Sequence, residues 1–168
     1  MDTKKVVFGV FAAATLLVSA ILIAGAMNEP VTYHGTHLAP PMPAADFTLT
    51  SADGRVSRGD LAGKVSPIFF GYTSCPDVCP TTLLRLSNAL SQLPASQQAR
   101  VQVVFVSVDP ERDTPERASA YARAVHPTFL GITGSPEEIA DVAAQYGIYY
   151  AKAEGSEATG YLVDHTAT

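Results

Sequence analysis

Two cysteines in 168 residues, Cys75 and Cys79, are too few for a four-cysteine zinc or iron–sulfur site within one chain. No run of basic residues occurs. After Ala26, nine Lys and Arg stand against fifteen Asp and Glu, a net charge of −6. That balance argues against nucleic acid as a partner and leaves cationic ligands open. Charge of either sign is missing from Val6 to Ala26, and no internal repeat is visible. With 47% hydrophobic residues, the chain can bury one core once its N-terminus is set aside.

The uncharged stretch Val6–Ala26 follows Lys4 and Lys5. As a helix rising about 1.5 Å per residue it spans about 30 Å, a bilayer's hydrocarbon thickness. It has no polar face, which argues against a buried soluble helix. Ala24-Gly25-Ala26 resembles a signal-peptidase site, but the apolar run exceeds the usual ~7–15 residues of a signal core. An uncleaved signal-anchor over residues 1–27 is therefore expected. The paired lysines stay in the cytoplasm and the rest of the chain lies outside it, in the periplasm or its equivalent. Residues 28–43, rich in proline and small polar residues, read as an extended linker, with His34 and His37 as exposed bystanders.

From residue 44 a single domain is expected. Asp46–Thr50 alternates as a strand, Ser51–Gly54 is turn chemistry, and Val56–Ser57 is a return strand. A buried strand starts securely at Ile68, because Pro67 cannot donate to a ladder. Leucines at helical spacing mark Thr81–Leu93, and Val101–Val108 is a second buried strand. Thr114-Pro115 opens a helix to about Val125, and Thr128–Ile132 is a short strand. Ser135-Pro136-Glu137-Glu138 is a capping box for a helix ending near Gly147, and strands follow at Ile148–Lys152 and Gly160–Val163. Strands alternating with helices make this an α/β fold with a partly parallel sheet. Asp109–Asp113 reads as a solvated loop, with a docking surface as the minority reading. Tyr146, Tyr149 and Tyr150 read as packing residues.

Outside the cytoplasm a structural disulfide is the ordinary role for two cysteines, but closing a three-residue gap removes little chain entropy. The spacing suits a redox or metal pair better. A tight turn over Cys75–Cys79, with Pro80 at the first helical position, puts Cys79 at the N-cap, where its thiol pKa should fall. Two thiolates select soft metals such as Cu(I), and a third ligand is wanted. Of four histidines, His165 is the strongest candidate and His126 reads as a helix cap. On the residues alone, a structural histidine at 165 is as good a reading as a ligand. Asp77 and Asp164 flank these residues. They read first as a turn cap and a backbone acceptor, and second as carboxylates favouring Cu(II) over Cu(I).

Three blocks in order, Gly71-Tyr72-Thr73-Ser74-Cys75-Pro76-Asp77-Val78-Cys79-Pro80, Val108-Asp109-Pro110-Glu111-Arg112-Asp113-Thr114 and Val163-Asp164-His165-Thr166, resemble the signature blocks of the SCO/SenC family. The resemblance runs from about Pro43 to the end. It implies a thioredoxin-like fold, copper as Cu(I) or Cu(II) held by Cys75, Cys79 and His165, and membrane tethering with the domain outside the cytoplasm. It also implies a metallochaperone that loads copper into, or reduces the cysteines of, the dinuclear copper centre of cytochrome c oxidase subunit II, with other copper chaperones as partners. Family members continue past the histidine block with a strand and a helix, so the domain, residues 44–168, is expected to be C-terminally truncated. The alternative is a membrane-anchored thiol–disulfide oxidoreductase, or a redox sensor of the same fold, using the Cys75/Cys79 pair.

Overall fold

The computed structural model describes residues 13–22, 25, 35, 40–155 and 160–166. It divides into two units, Met1–Met42 and Pro43–Thr168. In the first, residues 13–22 are helical (α1), and Leu16, Leu17, Val18, Ile21 and Leu22 are exposed. Among the described residues no helix is long and apolar enough to cross a membrane. Apart from Gly25, the rest of the expected span lies outside the described residues, as do His34 and His37.

The second unit opens with the hairpin β1 (Thr48–Ser51) and β2 (Gly54–Ser57), antiparallel with Leu49 opposite Val56. Gly54 turns it at φ 123°, a conformation that only glycine adopts freely. A 3-10 turn, Arg58–Leu61, leads towards β3 (Ile68–Gly71). Pro67 sits just ahead of β3, where its carbonyl accepts from the Val104 N–H at 2.9 Å and its missing donor costs nothing.

The central sheet is parallel, in the order β3–β4–β5, with β4 at Val104–Ser107 and β5 at Leu130–Ile132. All four residues of β4 are buried, as the middle strand of a parallel sheet covered on both faces requires. Phe105 packs between Phe69 and Tyr121, with ring centroids at 6.4 and 5.1 Å. The helices are α2 (Val78–Ser91), the short α3 (Ala95–Gln98), α4 (Pro115–Val125) and α5 (Pro136–Gln145). α4 buries Ala118, Ser119 and Ala122, and this small-residue stripe lets it lie close against β5. Thr114 caps α4 by accepting from the Arg117 N–H, and the capping box at Ser135 and Glu138 opens α5. Gly147 ends α5 at φ 68°.

A second hairpin, β6 (Tyr150–Ala153) with β7 (Leu162–His165), forms a two-stranded sheet of its own. Its register places Tyr150 opposite His165. Tyr146 packs on Phe47 and Phe70 and donates to the Ala45 carbonyl at 3.0 Å. Tyr149 is 66% exposed, so it is a surface residue and not the packing residue expected from its neighbours.

Candidate metal centre

Two loops leave the carboxyl ends of adjacent parallel strands, where open α/β sheets ordinarily place their sites. The loop after β3 carries Cys75, and the loop after β4 carries Asp109 to Asp113. The free thiols of Cys75 and Cys79 and the imidazole of His165 converge there, their ligand atoms all within 4.8 Å of one another. Cys79 Sγ lies 3.5 Å from His165 Nε2. Cys79 is fully buried, while Cys75 and His165 are half-buried. No other such cluster of His, Cys, Asp or Glu occurs among the described residues.

Cys79 and His165 are fixed by their surroundings. Gly71 gives Cys79 room, because a Cβ there would lie 2.8 Å from the Cys79 sulfur. The His165 ring meets Phe69 and Tyr72 edge-on at 6.0 Å each, and its Nδ1 lies 3.2 Å from the Thr166 carbonyl oxygen. Nε2 is thereby the nitrogen turned to the sulfurs.

Helix α2 starts at Val78, two residues earlier than Pro80 suggests, and this reverses the expected roles of the thiols. Cys79 is the second helical residue and points into the core. Burial pushes its thiol strongly up, and proximity to Cys75 and Asp113 adds to this against the pull of a Tyr72 backbone hydrogen bond. Cys75 Sγ instead occupies the anion-favouring end of the helix, accepting from the Cys79 N–H at 3.4 Å. Partial burial pushes the Cys75 thiol up, but hydrogen bonds from the Asp77, Cys79 and Val78 backbones outweigh it and hold the thiol below its ordinary value. The low-pKa thiol is Cys75, not Cys79.

Asp77 occupies the N-cap position without a side-chain cap bond, so it is no turn cap; its Oδ1 accepts from Thr81 at 3.4 Å. With Asp164, which is exposed, it lines a groove of about 240 Å³ that opens onto Cys75 and His165. His126 ends α4, its Nδ1 2.9 Å from Thr128 Oγ1. The larger cavity beside it, about 380 Å³, has neither thiol nor carboxylate in its lining.

The Asp109–Asp113 segment is not a solvated loop. Asp113 is 1% exposed and accepts from the Thr73 N–H, the Thr73 hydroxyl and the Ser107 hydroxyl at 2.5–2.8 Å. Arg117 reaches the same carboxylate at 3.4 Å and donates to Ser74 Oγ at 3.1 Å, so the run into Cys75 is held from both sides. Asp109, 3% exposed, pairs with Arg112 and accepts from the Tyr161 hydroxyl at 2.6 Å. Burial and the Asp109 carboxylate push the Tyr161 hydroxyl up to about 12, so it remains a donor. Of the residues that sequence reasoning missed, Gly71, Tyr72, Asp109, Arg112 and Asp113 stand in the blocks that carry the family resemblance, and Tyr161 lies just ahead of the last block.

Two thiols and one imidazole suit a soft cation in three-coordination. Bonds of about 2.0–2.3 Å, as for thiolate and imidazole on zinc, would bring such ligand atoms to within about 4 Å of one another, so the cluster needs to close by less than about 1 Å.

The SCO1/SenC family profile matches residues 37–168. Protein SCO1 homolog 1, mitochondrial, of Arabidopsis thaliana is 46% identical over 121 residues, 71% of this chain and 36% of that protein. Protein SCO2 homolog, mitochondrial, of Bos taurus is 42% identical over 123 residues, 72% of this chain and 46% of that protein. The chain thus spans less than half the length of either relative. Among solved structures, apo Sco1 from Thermus thermophilus superposes with a TM-score of 0.73 at 52% identity, covering 81% of this chain and 78% of that one. Arabidopsis thaliana ScoI with copper bound gives 0.69 at 44% identity, covering 74% and 77%. These likenesses carry the mixed α/β, thioredoxin-like fold. The chain belongs to the SCO1/SenC family.

Proposed function

We propose that this chain is a copper metallochaperone that holds Cu(I) or Cu(II) through Cys75, Cys79 and His165. We further propose that it serves the assembly of cytochrome c oxidase, at the dinuclear copper centre of subunit II. The observation carrying the reading is the convergence of the three ligands. A relative whose structure is described with copper bound supports the choice of metal. Thiolates favour Cu(I), and the imidazole adds a borderline ligand that Cu(II) also accepts. The groove leaves Cys75 and His165 open to an incoming donor or acceptor protein, while Cys79 stays shielded behind them.

The domain acts outside the cytoplasm, on a single-pass anchor formed by Val6–Ala26 behind Lys4 and Lys5. Release of the full chain from membranes by alkaline carbonate would contradict that placement.

A second reading, thiol–disulfide exchange, draws on the contrast between the thiols. Cys75 is the accessible, lower-pKa sulfur and Cys79 the buried one beside it, an arrangement suited to attack followed by resolution. Anaerobic competition titration of the reduced protein with Cu(I) separates the two. The metallochaperone reading expects one tight equivalent, weakened at least about tenfold in His165→Ala. Equal affinity in both proteins removes His165 as a ligand, and an absence of binding leaves the exchange reading.

A further inference from the structure

His165 reaches the cysteines on a hairpin that, among the described residues, shares no ladder with the central sheet, so side chains help set where the imidazole lies. Of the side chains that link the hairpin to the loop after β4, Arg112 makes the most contacts. Arg112 pairs through Nε with the buried Asp109, and its Nη1 donates to the Tyr161 carbonyl at 2.8 Å. Its guanidinium lies 3.7 Å from the Tyr161 ring centroid and 5.6 Å from that of Tyr72, the ring that packs edge-on against His165. Tyr161 closes the loop by donating to Asp109 at 2.6 Å. Lys152 on β6 adds an ion pair to Glu111, but at an exposed position where such pairs contribute little.

We infer that Arg112 is a positioning residue for His165, pinning the β6–β7 hairpin to the loop after β4 and so holding the imidazole against the cysteine pair. The planar fork is what the position requires. It bonds a carboxylate and a carbonyl in different directions while stacking on a ring, which an ammonium cannot do at once. Without the pin, the hairpin keeps its own ladder but His165 samples positions away from the sulfurs. Its contribution to metal affinity falls while both thiols remain in place. The consequence for metal rests on the copper reading above; the consequence for the hairpin does not.

The test uses the full-length reduced chain as wild type, Arg112→Gln, Arg112→Lys, His165→Ala and the Arg112→Gln/His165→Ala double variant. In the metal-free proteins, hydrogen exchange is followed at the amides of β6 and β7 and at those of β3 and β4. Arg112→Gln is expected to speed exchange in the hairpin alone. Unchanged exchange there, or an equal rise in the central sheet, overturns the inference. Cu(I) competition titration then reads the coupling. Arg112→Gln should weaken binding roughly tenfold, within the range for residues that orient a metal ligand, with Arg112→Lys in between. Because Arg112 acts through His165, the double variant should bind no more weakly than His165→Ala. A double variant weaker by the full Arg112→Gln factor overturns it. Should the wild type bind no Cu(I), the copper reading falls and the exchange data alone decide the role of Arg112.

Discussion

At the scale of single residues, the site is governed by which sulfur is buried. Cys75 and Cys79 are four positions apart, yet one faces the amide groups at the start of α2 and the other the core. Alkylation of the reduced, metal-free protein should therefore modify Cys75 first. Since the thiolate is the reactive form and the Cys75 pKa is held down, its rate should rise with pH from below the midpoint of a free cysteine, while Cys79 lags throughout. Peptide mapping at several pH values reads both rates, and comparable rates would contradict the assignment. The cysteine pair and His165 were legible in the sequence as residue types. The order of thiol reactivity was not, because it depends on where α2 begins. Pro80 is compatible with any position in the first turn, whose N–H groups lack intrahelical partners anyway, so proline alone could not locate the start.

At the scale of elements, close approach between α4 and β5 holds the framework beneath the site. A Cβ on Gly131 would lie 2.0 Å from the Ala118 carbonyl oxygen, and Ser119 Oγ donates to the Gly131 carbonyl at 2.9 Å. Gly131→Ala must push the helix off the strand and should cost about 3 kcal/mol or more, at or beyond the usual range for overpacking. Urea denaturation measures it, and a loss below about 0.5 kcal/mol, the ordinary scatter of surface substitutions, would contradict the packing described. Most elements were readable from local pattern: the Thr114-Pro115 and Ser135-Pro136 helix starts, the start of β3 after Pro67, and the buried run of β4. The Asp109–Asp113 segment was not. Its composition is that of a surface turn, and its burial comes from partners remote in sequence, Thr73 and Tyr161.

At the scale of the whole molecule, three segments distant in sequence build one site. Gly71 to Cys79 supplies the sulfurs, Asp109 to Arg117 holds the run before Cys75 and the hairpin, and Tyr161 to His165 supplies the imidazole. No single segment is a metal site, since two thiols four positions apart serve exchange chemistry equally well. A third ligand would distinguish a copper carrier from a dithiol reductant, and the nearness of His165 to the sulfurs is a property of the fold. X-ray absorption at the copper edge of the Cu(I)-loaded full-length chain tests this most directly. A shell of two sulfurs and one nitrogen is expected, with the nitrogen lost in His165→Ala. A shell of sulfur alone in the wild type, or a nitrogen that survives His165→Ala, would contradict it.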